Sequence, residues 1–439
     1  MGTLLRVFTI TDDTAYAEAR DYCVARALGE EDDSEAQAQK LESVREIVAA
    51  VRQRGDDAVA EFTERYDGVR LRPEEFELSE SEMDAAIEQV DRNLVAALER
   101  AHENIRRFHS KHLRQSWEET LEDGTLLGQR ITPIDSAGVY VPGGKAYYPS
   151  SVLMNIVPAK VAKVQQIIMV SPPSYNGSVH PLVLAAARIA GATRVFRIGG
   201  AQAIAALAYG TATIPSVSKI TGPGNIYVTL AKRLVNGVCS IDMEAGPSEV
   251  AVIADDRANP THVAAELVCQ AEHDEDAVVS LVTPSAEMVE VVEKELARQL
   301  EGLPRAAIAR KALQRRGAAF VVRNLEEAAD LVNFIAPEHL SIQVEIPMKL
   351  FDKIQHAGAV MIGGGTPVAV GDYYAGPNHI LPTGRRARFS SALHVEDFRK
   401  TTNFMMYSRE RLRRDAEDIM LLAEAEGLPA HAKAVELRR

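Results

Sequence analysis

Residues 165–200, QQIIMVSPPSYNGSVHPLVLAAARIAGATRVFRIGG, decide the fold class. Ile167, Ile168, Met169 and Val170 form a short apolar run stopped by Pro172 and Pro173, which reads as a buried strand. From Pro181 to Ala190 the apolar positions recur at helical spacing, and Gly191 closes the pattern as a helix C-terminus. A second strand, RVFRIGG, follows at once. Strand, helix and strand in so short a span form a crossover unit, which calls for a parallel sheet covered by helices.

The same alternation continues on both sides. AGVYVPGG (137–144) reads as a strand entering a Gly-Pro turn, AQAIAALAYG (201–210) as a helix, and KITGPGN (219–225) as a strand and loop. After IDMEAGPSEVAVIADD (241–256) come a helix over 260–272, the strand AVVSLVTP (277–284) and a helix over 285–302. AAFVVR (318–323), a helix around 325–334 and GAVMIGG (358–364) complete the series. The expectation is an α/β protein of two doubly wound, Rossmann-like domains that meet near AGPSE. Upstream, residues 34 to about 108 read as helices, with Gly55 as a stop and one continuing pattern over 81–109. The expected bounds are an N-terminal arm at 1–33, a domain of 34–139 plus 248–393, an insert at 140–247, and a helical C-terminal arm at 394–439.

Length and composition agree. At 439 residues the chain exceeds one domain of roughly 100 to 200 residues. Its 46% hydrophobic and 25% charged content excludes general disorder. With 62 acidic against 49 basic residues the formal charge is -13, which disfavours nucleic acid and anionic membranes as partners. No uncharged apolar run reaches the roughly 18 residues of a membrane span, and MGTLLRVFTITDDTAYAEAR is too polar for a secretory leader. Cys23, Cys239 and Cys269 are far apart and include no CxxC pair, so neither a disulfide framework nor a thiolate zinc site is expected. A reducing cytoplasm fits, and any metal would take nitrogen and oxygen ligands.

Four stretches carry chemistry. In NPTHVAAELVCQAEHDED (259–276), Gln270 and His273 project from one face of a helix end. An ordinary polar C-terminal turn, its His complementing the helix dipole, explains the pair equally well. NFIAPEHLSIQ (333–343) puts Glu338 and His339 inside an apolar segment, where they form either a structural ion pair or a proton-transfer couple. VMIGGGTPVAVGDYYAGPNHILPTG (360–384) sets Asp372, Asn378 and His379 in a long loop at a strand end, where sites are built. AEAEGLPAHAKAV (423–435) holds Glu424, Glu426 and His431 around a helix break. The Gly-rich loops GVYVPGGKAYYPSS (138–151) and KITGPGNIYVTLAK (219–232) could admit a pyrophosphate, although neither matches GxGxxG.

Taken in order, GVYVPGG, YPSSVLMNIVPAKVA, GGAQAIAALAYGT, TGPGN, IDMEAGPSEV, QAEH, APEHL, GPNHILPTG, ARFSS and EGLPAHAKAV closely resemble the histidinol dehydrogenase family, over about residues 36 to 436. The resemblance implies an aldehyde-dehydrogenase-like arrangement of the two domains. It implies oxidation of L-histidinol by two NAD, with water, to L-histidine and two NADH through bound histidinal, the last step of histidine biosynthesis. It also implies one Zn²⁺ held by Gln270, His273, Asp372 and His431, which with Ser248, His339, His379 and Glu426 line the substrate. NAD would lie against Tyr140, Gln202 and Asn225. His339 would remove the hydroxyl proton and Glu338 activate the water that adds to the aldehyde. The family works as a homodimer whose C-terminal arm reaches the neighbour's site, so Glu426 and His431 would come from the partner.

Glu244 and the basic Arg385–Arg386 pair depart from the family pattern and are expected to be surface variation. A related zinc and NAD enzyme acting on another small amino or sulfonated alcohol, and a binding protein that has lost catalysis, are the competing expectations.

Overall fold

A computed structural model describes residues 3–28, 34–143, 147–244 and 246–439. Gly144, Lys145 and Ala146 of the first Gly-rich loop, and Ala245 of AGPSE, lie outside the described residues. The 165–200 stretch forms the strand Gln166–Val170, the helix Pro181–Ala190 and the strand Arg194–Phe196. Gly191 closes the helix at a left-handed φ of 87°.

These elements belong to a six-stranded sheet ordered Glu77–Leu78, Arg194–Phe196, Gln166–Val170, Ser136–Tyr140, Lys219–Thr221, Ser240–Ile241. Its pairings are parallel except at the Glu77–Leu78 edge. A second six-stranded sheet is parallel throughout, ordered Arg6–Thr9, Gly317–Val321, Val278–Thr283, Glu249–Ala254, His339–Gln343, Ala359–Ile362. In both, the earliest strand (Arg6–Thr9 or Glu77–Leu78) takes one edge, and the chain then enters at a central strand, moves toward that edge and returns to the other side. The switch falls between Ser136–Tyr140 and Lys219–Thr221 in one sheet and between Glu249–Ala254 and His339–Gln343 in the other, which is the doubly wound plan expected.

Strand side chains alternate between two covered faces. Ile167 and Met169 join the core that includes Leu98 and Ile105, while Ile168 and Val170 join the one that includes Val44 and Phe62. Val250 and Val252 likewise face away from Ala251 and Ile253. Burial on both sides explains why these strands read as continuous apolar runs.

The packing groups the chain differently from the expected bounds. The helices between 34 and 110 cover the 136–241 sheet, not the 249–362 sheet, because their apolar stripes complete its two cores. The first residues are no free arm either: Arg6–Thr9 pairs with Gly317–Val321, and Ala19 and Cys23 are buried in that sheet's core. The pattern over 81–109 is split into Glu80–Glu88 and Arg92–Ser110, where Asp91 caps the second helix by accepting from Asn93 and Leu94 N–H. A three-stranded antiparallel sheet, Arg399–Met406, Leu126–Pro133 and Trp117–Thr120, was not foreseen, since its polar, largely exposed residues give no apolar run. The helices Arg409–Ala425 and Pro429–Glu436 that follow pack chiefly on each other, whereas the first part of the expected 394–439 arm is the paired strand Arg399–Met406 with Val395 and Phe398 in the core. Among the described residues no helix is long and apolar enough to cross a membrane.

One buried ion pair shapes the loop after Thr221. Lys232 Nζ bonds Asp242 and donates to Gly222 O at 3.0 Å, while Gly222 N–H donates to Asp242 Oδ2 at 2.7 Å. Gly222 itself has φ 111°, and a Cβ there would sit 2.1 Å from Tyr140 O. Lys232→Met would leave Asp242 buried and uncompensated at a cost of about 3–5 kcal/mol. A clear fall in melting temperature is the expected measurement, and an unchanged one would count against the pair.

Candidate active site

Strands Glu249–Ala254 and His339–Gln343 begin side by side, with Val250 opposite His339. Glu338 enters on a sharp turn: Ala336 takes a left-handed φ of 49° at the end of helix Leu325–Ile335, and Pro337 stops the helix from continuing. The helix Pro260–Ala271 follows Glu249–Ala254 and runs back along the sheet before Val278–Thr283 starts, so Gln270 and then His273 come to the same amino edge. Asp372 lies on the short helix Val368–Tyr373 after Ala359–Ile362.

A bonded set results. Glu338 Oε2 accepts from Glu249 N–H at 2.7 Å and from Gln270 Nε2 at 3.4 Å. His339 Nδ1 lies 3.2 Å from Glu249 O, and its Nε2 lies 3.1 Å from Asp372 Oδ1. Asp372 O, in turn, lies 2.7 Å from His379 Nδ1, and His379 Nε2 is 3.3 Å from Ser151 Oγ. Carbonyl oxygens only accept, so Nδ1 carries a proton in both rings. Gln270 Oε1 is buried and has no hydrogen-bond partner.

The electrostatics follow from this burial. Burial alone would depress His339, but the Glu338 and Asp372 carboxylates outweigh it and hold the ring well above the usual imidazole range. Burial works against the Asp372 carboxylate too, yet the His339 bond and the nearby His379 and His273 rings keep it low. His379, mainly by burial, is pushed below the ordinary value and stays neutral. The Cys269 thiol is pushed up to about 12 by burial and by the carboxylates of Glu266, Asp372 and Glu272, so it offers no thiolate.

Ser151 belongs to the helix Pro149–Val161 that follows strand Ser136–Tyr140, so it stands at the carboxyl edge of the other sheet. Asn378 Nδ2 donates to Met154 O at 2.7 Å on the same helix, and Gly246 N–H donates to Thr383 Oγ1 at 2.6 Å. These contacts therefore join the amino edge of the 249–362 sheet to the carboxyl edge of the 136–241 sheet. Tyr140 ends one and Asn225 follows the other of the two strands at the latter's switch point, where open α/β sheets take ligands, and Gln202 lies on the helix after Arg194–Phe196 at the same edge. Tyr140 is buried and its hydroxyl accepts from Gly200 N–H at 3.2 Å. Buried Gln202 leaves Nε2 without a partner. Asn225 caps the helix Ile226–Val235 by accepting from Tyr227 and Val228 N–H.

The chain thus brings together Gln270, Glu338, His339, Asp372 and His379, with His273 close enough to act on Asp372. Ser248 is half-buried and directly precedes Glu249. Glu426 and His431 are instead exposed on the C-terminal helical pair. Among the described residues no group of three or more His, Cys, Asp or Glu side chains converges as a metal site. Ser151, Glu249 and Glu266 were not singled out from sequence. For Glu266 a signal existed, an acid four residues before Gln270 on an otherwise apolar helix. The two departures from the family pattern meet each other: Arg386 reaches Glu244 at 3.4 Å, while the Arg385 guanidinium lies 4.1 Å from the Phe334 ring centroid.

A family model for histidinol dehydrogenase matches residues 30–439. A histidinol dehydrogenase from Synechococcus sp. is 52% identical over 397 residues, covering 90% of this chain and 92% of its own. One from Heliobacterium mobile is 52% identical over 395 residues, with the same shares of 90% and 92%. The crystal structure of histidinol dehydrogenase from Elizabethkingia anophelis matches with a TM-score of 0.91 at 33% identity, over 100% of this chain and 98% of that one. With a family model spanning nearly all of its length and relatives at half identity, the chain belongs to the histidinol dehydrogenase family.

Proposed function

We propose that this chain oxidises L-histidinol to L-histidine with two NAD and one water, by way of enzyme-held histidinal, as a zinc-dependent cytoplasmic homodimer in histidine biosynthesis. The observation that carries this reading is the bonded set Gln270–Glu338–His339–Asp372–His379 where two sheet edges meet.

The residues fit the metal. Gln270 presents a buried oxygen without a partner, Asp372 a buried carboxylate held ionised, and His273 an imidazole beside it. Oxygen and imidazole donors suit Zn²⁺, and His431 of a second copy would complete four ligands. Zinc bound there supplies a fixed cationic anchor that polarises and orients the amino alcohol. The other edge suits NAD, which accepts a hydride at each oxidation, in that Gln202 Nε2 is a buried donor in need of an acceptor.

This chain's own groups handle the protons. His339 donates Nδ1–H to Glu249 O, so in its neutral form Nε2 is the base that takes the hydroxyl proton as the first hydride leaves. Glu338 is held through Oε2, which leaves Oε1, outside these contacts, to take a proton from the water that adds to the aldehyde. His379, kept neutral and fixed by Ser151, positions the substrate together with Ser248 and the partner copy's Glu426. Exposed Leu421, Leu422 and Leu437 on the C-terminal helices support a dimer that covers them. Cys23, Cys239 and Cys269 are all free thiols, in keeping with a reducing compartment.

Purified protein given L-histidinol and NAD is expected to form about two NADH per histidine, and chelation should abolish turnover until zinc is restored. Full activity after exhaustive chelation would sink the zinc reading. Oxidation of another small alcohol with histidinol untouched would favour a related dehydrogenase instead.

A further inference from the structure

Glu266 is a buried carboxylate that the mechanism above does not use. It lies on the helix Pro260–Ala271, one turn before Gln270, with both side chains facing inward on a helix otherwise packed through Val263, Ala264, Leu267 and Val268. Burying a carboxylate there costs several kcal/mol, which an apolar residue of similar size would avoid. Its Oε2 accepts from Val368 N–H at 3.1 Å. Val368 is the first residue of the short helix that carries Asp372. One carboxylate therefore ties the helix bearing Gln270 to the helix bearing Asp372. His339, Asp372, His262 and the Cys269 thiol are the charged or titratable groups that interact with it.

Charge points the same way. The four ligands proposed for zinc include a single anion, Asp372, so a dication held by them alone keeps a net positive charge in a buried site. A second carboxylate nearby offsets it, as groups beyond the direct ligands commonly do. We propose that Glu266 is a positioning residue of the zinc site, fixing Asp372 against Gln270 and supplying the compensating charge without ligating the metal. This rests on the zinc reading above.

The test is zinc affinity, measured on the full-length protein by competition with a chromophoric chelator, beside melting temperatures with and without zinc. Glu266→Leu should weaken zinc binding about tenfold to a hundredfold, Glu266→Gln, which keeps an acceptor but no charge, by about tenfold, and Glu266→Asp by less than about threefold. Without zinc, Glu266→Leu should melt no lower than the unaltered protein. Leu and Gln variants that hold zinc as tightly as the unaltered chain would overturn the assignment, and if the Leu variant fails to fold, the Gln and Asp pair decides it. Unaltered protein that takes up no zinc would instead remove the zinc reading itself.

Discussion

Glu338→Gln is expected to stop histidine formation almost completely while still releasing histidinal. Glutamine keeps the reach of the side chain and its acceptor oxygen, so the bond from Glu249 N–H survives, but it cannot take a proton from water. Hydration of the aldehyde should slow by about a thousandfold, within the range seen when a positioned base is lost. On the proposed division of roles the first oxidation needs His339 as its base, and the substitution leaves the His339 contacts with Glu249 O and Asp372 in place. Single-turnover experiments with an aldehyde trap would show close to one NADH per histidinol. Equal loss of both steps would refute the separation of roles between these neighbours.

Activity should return when two dead proteins are mixed. His431→Ala and Glu338→Gln homodimers each lack one component in both sites. If the arm of one copy completes the core of the other, a mixed dimer contains one site with both defects and one with neither. Equal mixing with subunit exchange then gives roughly a quarter of the unaltered rate. Should each arm serve its own core, every site keeps a defect and the mixture stays inactive. The exposed positions of Glu426 and His431, away from the bonded set, are what make the first outcome expected.

The strand and helix pattern was legible because both six-stranded sheets are buried on two faces, so each strand is a short apolar run and each crossover helix ends at a marked stop such as Gly191. Which helices cover which sheet was not. The apolar stripes on the helices between 34 and 110 would serve either core, and only three-dimensional packing assigns them to Ile167–Val170. Polar strands such as Trp117–Thr120 carry no apolar signature, and the strand His339–Gln343 was hidden behind its own Glu-His pair. Within the site, QAEH and APEHL marked residues that the fold does join. Spacing alone left each with an ordinary structural explanation, and the family resemblance tipped the balance. Ser151 and Glu249 went unnoticed, because nothing near them in sequence reveals that distant strands and loops will meet there.

On the proposed assignment, with substrate and NAD held by opposite ends of two separately built sheets, the choice of fuel and the choice of oxidant would be written in different parts of the chain. Changes in the loop after Thr221 are then expected to alter which dinucleotide is accepted while leaving the grip on the amino alcohol intact, and changes around Gln270 to do the reverse. Breeding such a scaffold toward new alcohols is therefore a problem of remodelling one side at a time.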